Sequence, residues 1–433
     1  MSEHTYAPRY HIYAGSGWIN DPNGLIYIGG KFHAFYQFYP DAPEWGPMHW
    51  GHVSSDDLAH WTREPVALKP DQDYEQGCFS GSAADDHGVL TLVYTAHDER
   101  RANKESQCIA RSFDGGHTFV KSESNPVIAA SPEGFGADFR DPKVWKQGGE
   151  WRMVVGCTRN GRGCTRNGRG CALLYGSADL VSWQYLGVLA ESDGTLGSMW
   201  ECPNYCRVDG QDLLILSPME MAGHKNIALF GSYENDKMTL GSFQELDLGE
   251  DFYAAQVFSA GDRVILMAWM DMWGKPYPSQ CEGWAGALTI PRVLRVQNGV
   301  LLQEPAPELK LLREKKLDGA IGKLTGDCLE LRVRARGVFT FAVSDASGAL
   351  ITLSAENGRA KLVLPSGRIS ESPIPSGDET ELIVYVDRSS IECFVNGIAF
   401  TQRIYPRDHA LKYDFEGEIV FSEVWSLADA FTE

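Results

Sequence analysis

The sequence is short of positive charge, long apolar runs, paired-cysteine motifs and sustained helical periodicity. Each shortage closes a class of function. Of 433 residues, 39 are Lys or Arg against 58 Asp or Glu, giving a net charge of −19. A chain this acidic, with no basic stripe, excludes the electrostatic footprint of a nucleic-acid binder or of a protein that docks on anionic membranes. No run of about 18 apolar residues occurs, so no membrane-spanning helix is expected. The start, Met1-Ser2-Glu3-His4-Thr5-Tyr6, has no basic segment followed by an apolar core and does not read as a secretory signal. A cytoplasmic location with reduced thiols is the resulting expectation. The ten cysteines contain no Cys-x-x-Cys pair. Neither a zinc site nor any other metal or cofactor is therefore expected.

Against these absences stands an ordinary globular composition, 43% hydrophobic and 22% charged. The length suits two domains, or one repeat fold with a smaller companion. The repeat is visible. Ser55-x-Asp57-Leu58-x-x-Trp61 recurs as Ser177-x-Asp179-Leu180-x-x-Trp183, and a looser copy, Ser112-x-Asp114, closes on Phe119. A fourth, degenerate copy is expected from Ser232. Asp57 and Asp114 are 57 residues apart, and Asp114 and Asp179 are 65 apart. The longer interval contains an exact duplication, in which Cys157-Thr158-Arg159-Asn160-Gly161-Arg162-Gly163 is followed by the same seven types at Cys164 to Gly170. Strand-like runs at 32–36, 90–94, 151–155, 213–216 and 264–269 keep the same period. A period of this size marks a repeat architecture, and five strand-rich units fit a five-bladed β-propeller.

Beyond the repeats, the pattern changes at Pro305-Ala306-Pro307, and a charged, short helical linker is expected to follow. Leu329, Leu331, Val333 and Ala335 then alternate with Glu330, Arg332 and Arg334, the period-two signature of a half-buried strand. Similar short runs follow at 339–343, 360–364, 381–386 and 391–395. The expected organisation is all-β, with a propeller over 1–304, a linker over 305–317 and a β-sandwich over 318–433. The sandwich shows no aromatic platform in its loops, so its expected role is structural.

Three carboxylates stand one or two residues before prolines near the starts of repeats. They lie in Trp18-Ile19-Asn20-Asp21-Pro22-Asn23-Gly24, in Arg140-Asp141-Pro142 and in Trp200-Glu201-Cys202-Pro203. Asp-Pro and Asn-Gly favour turns, so the first stretch reads as a β-turn before a strand at 25–28. Singly, each acid reads as a surface group. Together, at matching blade positions, they would converge on the central channel of a propeller.

These stretches, with Phe35-Tyr36-Gln37, Glu44-Trp45-Gly46, His49-Trp50-Gly51-His52, Phe79-Ser80-Gly81-Ser82, Asp251-Phe252-Tyr253-Ala254 and Gly283-Trp284-Ala285-Gly286, resemble glycoside hydrolase family 32. That family holds the invertases, β-fructofuranosidases and sucrose-6-phosphate hydrolases. Asp387-Arg388-Ser389-Ser390-Ile391-Glu392 resembles its C-terminal signature. The resemblance implies a five-bladed propeller followed by a β-sandwich, and a retaining glycosidase that releases fructose through a covalent intermediate. Asp21 then corresponds to the nucleophile, Glu201 to the general acid/base, and Asp141 to the group that grips fructose hydroxyls, with Arg140 beside it keeping Asp141 charged. Implied sugar contacts are Trp18, Asn20, Gln37, Trp45, Phe79, Ser80, Tyr94, Arg140, Trp273 and Trp284. Core packing competes as a reading for Trp45, Tyr94, Trp273 and Trp284. The implied partner is a small sugar, namely sucrose, sucrose-6-phosphate or a short fructo-oligosaccharide. A fructosyltransferase with the same three acids remains the alternative, and a homo-oligomer is left open. Lys275 is a candidate phosphate partner.

The duplicated segment departs from the family pattern and brings Arg159, Arg162, Arg166 and Arg169 together. An enlarged hairpin tip is one account, and an anion or partner contact is the other. Lengthening a loop costs little closure entropy, so deleting 164–170 is expected to change stability by less than about 1 kcal/mol in urea unfolding. A selective rise in KM for a phosphorylated sugar, or a shifted elution volume, would favour the contact instead.

Overall fold

A computed structural model describes residues 5–160, 168–407 and 410–431. Twenty-one of its strands build a propeller. Blade one holds β1 (Gly17–Ile28), β2 (Lys31–Tyr39), β3 (His49–Ser55) and β4 (Thr62–Arg63). Blade two holds β5 (Gly77–Asp86), β6 (Val89–His97), β7 (Glu105–Ser112) and β8 (Val120–Lys121). Blade three holds β9 (Phe135–Gln147), β10 (Glu150–Arg159), β11 (Arg169–Ser177) and β12 (Gln184–Glu191). Blade four holds β13 (Met199–Val208), β14 (Gln211–Met219), β15 (Ile227–Glu234) and β16 (Lys237–Glu245). Blade five holds β17 (Tyr253–Ala260), β18 (Arg263–Trp269), β20 (Arg292–Gln297) and β21 (Val300–Pro305), while β19 (Trp284–Ala285) pairs in parallel with β1. This last pairing ties the end of the ring to its beginning. The five expected strand runs are the second strands of the blades. They read as nearly continuous apolar runs because blades cover both their faces. Ser232 lies inside β15, so the fourth copy of the marker is not at a blade corner.

The Asp57 and Asp179 markers explain themselves as corners. Each aspartate accepts two backbone N–H bonds just beyond itself, from Ala59 and His60 in one case and from Val181 and Ser182 in the other. Leu58 and Leu180 stand at φ 62 and 63, a cost that the carboxylate-held loop and their full burial offset.

The Asp-Pro-Asn-Gly stretch is not a turn. β1 runs through it from Gly17 to Ile28. Apart from the contact of β1 with β19 at Gly17 and Trp18, innermost strands are the edges of their blade sheets, so Pro22, Pro142 and Pro203 remove no ladder bond. The chain's turn propensity appears instead as bulges, with register shifts between Ile19 and Pro22 and between Asn23 and Ile26. Blades three and four carry the first shift too, between Arg140 and Lys143 against Gly156 and Val154, and between Glu201 and Asn204. Aligned on this bulge, the three acids do not occupy matching positions. Glu201 precedes it, Asp141 is its first residue and Asp21 its second.

The second domain is one nine-stranded, folded sheet of β22 (Arg313–Lys316), β23 (Cys328–Asp345), β24 (Gly348–Glu356), β25 (Arg359–Val363), β26 (Ile369–Pro373), β27 (Thr380–Asp387), β28 (Ser390–Val395), β29 (Ile398–Arg403) and β30 (Lys412–Leu427). The runs expected at 329–335 and 339–343 are one long strand, β23, whose register to β30 shifts between Arg336 and Thr340 beside Gly337 at φ 74. Within 305–317, a 3-10 turn (Pro307–Leu312) precedes β22, which pairs with β30. The interior of this domain is apolar, with Leu331, Phe341, Leu353, Leu382 and Val395 all fully buried.

Between the domains the core turns ionic. His11 bonds Asp387 through Nδ1 and Glu392 through Nε2, both at 2.8 Å. Arg292 reaches Asp247 at 2.9 Å and also bonds Glu392 and Thr401. Asp387 further accepts the backbone N–H groups of Arg9, Tyr10 and His11. All of His11, Asp247, Arg292, Asp387, Glu392 and Thr401 are at most 3% exposed. Burial pushes the His11 imidazolium down, but its two carboxylate bonds outweigh this and raise it overall. Burial likewise pushes Asp387 and Glu392 up, and their cationic and N–H partners bring both below the usual range.

The His11 contribution is therefore whole below about pH 6.5 and is lost as pH rises through its higher folded pKa. The carboxylate contributions are whole above about pH 4 and are lost as pH falls through their lower folded values. His11→Gln is expected to flatten the alkaline fall in the urea midpoint and leave the acid fall in place. Arg292→Met strands Asp247 and Glu392 and is expected to cost on the order of 3–5 kcal/mol in the same measurement.

Candidate active site

The first halves of β1, β5, β9 and β13 meet at one end of the channel around a cavity of about 340 Å³. It is lined by Asn20, Asp21, Gln37, Trp45, Phe79, Ser80, His97, Glu99, Glu105, Arg140, Asp141, Glu201 and Trp273. The three acids beside prolines thus converge although their bulge positions differ.

Each acid has its own environment. Asp21 accepts from Asn20 Nδ2 at 2.9 Å and from the Ser80 hydroxyl at 2.6 Å. Trp18 Nε1 donates to Asn20 Oδ1 at 2.9 Å, which turns the Asn20 amide toward Asp21. Burial raises the Asp21 pKa; the Ser80 and Asn20 bonds oppose this, and the Glu201 charge adds to it. Asp141 stands at φ 66 and is only 5% exposed. Its backbone N–H is held by Thr95 Oγ1 at 3.0 Å, and its carboxylate accepts from the Cys202 N–H at 2.8 Å. These bonds over-determine a left-handed conformation that would otherwise cost of order 1–3 kcal/mol.

Arg140 does not pair with Asp141. Its guanidinium donates to Glu201 Oε1 at 2.8 Å, to both oxygens of Glu105 at 3.2 and 3.3 Å, and to Asp138 at 3.2 Å. Burial dominates at Asp141 and pushes it up to about 7. The Arg140 charge opposes this, whereas Glu201 and Asp21 reinforce it. The expectation that Arg140 keeps Asp141 charged is thereby corrected, because a side chain pointed at the next blade screens its sequence neighbour only at a distance. Glu201 Oε2 accepts a bond from the Tyr253 hydroxyl at 2.5 Å, so both carboxylate oxygens are held.

The aromatic candidates divide. Trp45 is 50% exposed and Trp273 41%, and both face the cavity. Trp18 lies beneath Trp273, with ring centroids 5.8 Å apart. Phe79 stacks on His97 at 4.1 Å. Tyr94 and Trp284 are corrections. Tyr94 is fully buried and donates its hydroxyl to Glu75 at 2.9 Å. Trp284 is also buried, with its N–H on Glu282 at 3.1 Å and the Arg403 guanidinium over its ring. Core packing wins at both.

Lys275 pairs with buried Asp251 rather than lining the cavity. Arg159 and Arg169 flank Glu191, at 2.6 and 3.9 Å, whereas Arg162 and Arg166 lie outside the described residues. Sequence reasoning did not find His97, Glu99 and Glu105 of blade two, or the Cys202 and Tyr253 contacts. Tyr253 was within a quoted motif, and its hydroxyl was the available signal. Among the described residues, no group of three or more His, Cys, Asp or Glu is placed to hold a metal ion.

Residues 11–305 match the model for the glycosyl hydrolases family 32 N-terminal domain, and residues 341–425 match that for the family 32 C terminal. A sucrose-6-phosphate hydrolase of Escherichia coli is 39% identical over 93% of this chain and 90% of its own length. A raffinose invertase of Escherichia coli is 37% identical over 98% of this chain and 95% of its own. The solved GH32 beta-fructofuranosidase of Bombyx mori is similar with a TM-score of 0.87 at 32% identity, covering 100% of this chain and 96% of that one.

The division of the aromatics is measurable. Tyr94→Phe leaves a buried Glu75 oxygen without its donor and is expected to cost about 1–3 kcal/mol of unfolding free energy. Trp45→Ala removes an exposed ring and is expected to stay within about 0.5 kcal/mol. Equal losses at the two positions would contradict the assignment.

Proposed function

Because the chain belongs to glycosyl hydrolase family 32, we propose that its cavity cleaves the fructosyl bond of sucrose or a related β-fructoside with Asp21, Asp141 and Glu201. Membership makes the chain a fructose-releasing glycosidase. The observation that carries the residue roles is the contrast between Asp21 and Glu201 in one cavity. Asp21 is held by two neutral donors that leave it free to approach a carbon, whereas Glu201 is gripped by a cation and a phenol.

In the first step, Asp21 attacks the anomeric carbon of the fructosyl ring while its bond to the leaving oxygen breaks. The Glu201 proton goes to that oxygen. The Tyr253 hydroxyl, a donor to the charged form, rotates to accept when Glu201 carries its proton. In the second step, Glu201 takes a proton from water as the water oxygen bonds the same carbon, and Asp21 leaves. Both steps build positive charge on the ring, which Asp141 faces from a dry setting where a carboxylate acts strongly. Hydroxyl donors on a bound fructose favour the ionised form of Asp141, offsetting the burial that raises it.

A neutral leaving sugar suits the lining. Asp21, Glu99, Glu105, Asp141 and Glu201 put five carboxylates on the cavity, and Arg140 is already committed among them. A phosphorylated sugar is the second reading, favoured by the similarity to the Escherichia coli sucrose-6-phosphate hydrolase. A transferase is not favoured, since the relatives' names describe hydrolysis. Among the described residues, no helix is long and apolar enough to cross a membrane.

Asp21→Ala and Glu201→Ala are each expected to lower fructose release from sucrose by at least about 10³-fold with native circular dichroism. NMR of the wild-type reaction is expected to show fructose released first with retained configuration. Near-normal turnover in Asp21→Ala, or inverted first product, overturns the residue roles.

A further inference from the structure

A second cavity of about 340 Å³ lies at the other end of the channel. It is built by later residues of the same innermost strands: Leu25 and Ile26 of β1, Ala83 of β5, Lys143 to Lys146 of β9, Tyr205 to Arg207 of β13, and Val257 to Ser259 of β17. At about 3.3 Å per residue, strands entering at the first cavity deliver these residues to the opposite mouth. Its charged lining is Lys143, Lys146 and Arg207, and among the described residues no Asp or Glu lines it. In a chain of net charge −19, three cations without an acid are an unusual concentration.

Lys143 is the anomalous member. It is 9% exposed, and its ammonium donates to the Val257 carbonyl oxygen. An ammonium has three donors, so two remain for the cavity. No carboxylate faces it, and its titratable neighbour is the Cys206 thiol. Burial pushes Lys143 down to about 8, so most of it still carries charge at neutral pH with no counter-ion from the protein. Lys146 lies over the Trp151 ring at 4.6 Å, and Arg207 meets Asp212 at 3.9 Å. Both are exposed at the mouth. Trp145 and Tyr205, with ring centroids 5.0 Å apart, form one wall shared with a neighbouring groove.

We propose that this far mouth of the channel is a binding site for a phosphate group, with Lys143 as its deep contact and Lys146 and Arg207 closing over the charge. A buried ammonium without a counter-charge is costly, and an oxyanion supplies the missing charge and two acceptors. The phosphate is either free or carried on a hexose whose ring rests on Trp145 and Tyr205. The site is separate from the catalytic cavity and takes no part in the cleavage.

Isothermal calorimetry with inorganic phosphate and with glucose 6-phosphate tests it on the full chain, using wild type, Lys143→Met, the double variant Lys146→Gln/Arg207→Gln and the surface control Lys237→Met. Wild type and the control are expected to bind at least one probe saturably. Lys143→Met is expected to bind at least about tenfold more weakly, and the double variant several-fold more weakly. Tighter binding of glucose 6-phosphate than of phosphate assigns the hexose ester; equal binding assigns the free ion. Saturating fructose, which occupies the catalytic cavity, is expected to leave binding unchanged. If Lys143→Met does not fold, the double surface variant carries the test. No saturable heat in wild type, undiminished affinity in the variants that fold, or displacement by fructose overturns the proposal.

Discussion

Apart from the two-residue contact of β1 with β19, the first strand of each blade has a hydrogen-bonding partner on one side only, and the rest of the site follows from that constraint. A central strand tolerates neither proline nor a left-handed residue without losing ladder bonds. An edge strand accepts both, provided that other groups hold the backbone. Here those groups come from adjacent blades: Thr95 of blade two holds the Asp141 N–H, and Asp141 in turn accepts the Cys202 N–H of blade four. The bulges that would weaken a solitary sheet become the joints between blades. They also turn acids at three different bulge positions toward one space, which a regular pleat with period two would not do.

Charge in this cavity is organised across blades rather than along the chain. Arg140 leaves its neighbour Asp141 and gathers Glu105 from blade two and Glu201 from blade four. One cation thus serves several carboxylates, and the balance tips toward raised pKa values at Asp21 and Asp141, where burial is the larger effect. A cation on Asp21 as well would compete for the carboxylate oxygens that must reach a carbon, and Asp21 has only neutral donors.

This explains how far the sequence could be read. The blade count was legible because second strands are apolar on both faces and recur at a fixed period. The acids were legible because each lies one or two residues before a proline within a stretch that resembles a family motif. The direction of side chains was not. Tyr94 and Trp45 are both aromatic residues near quoted motifs, yet one is wholly buried on Glu75 and the other half-exposed. Residue type does not report which side of a strand faces the channel, and an irregularity of one residue reverses the answer. Arg140 failed for the same reason, since its partners lie 35 and 61 positions away in sequence. The long β23 was read as two strands because its interruption at Gly337 resembles a turn, whereas pairing to β30 on both sides of it keeps the strand whole.

The second domain takes its place through buried charge. Asp387 and Glu392, the acids of its signature stretch, are spent on His11, Arg292 and backbone N–H groups, and none of their charge faces a ligand. The same domain sends Arg403 from β29 to Asp271, 3.5 Å away, and over the Trp284 ring. Burial pushes Asp271 up to about 8 against that arginine, so the contact is held by packing and shape as much as by charge. Asp271 and Trp284 bracket the segment that carries Trp273 to the cavity and ends in β19, the strand that closes the ring on β1. The second domain is thus in contact with the segment that supplies Trp273, one of the cavity walls built by loops rather than by strands, as are Trp45 and Glu99.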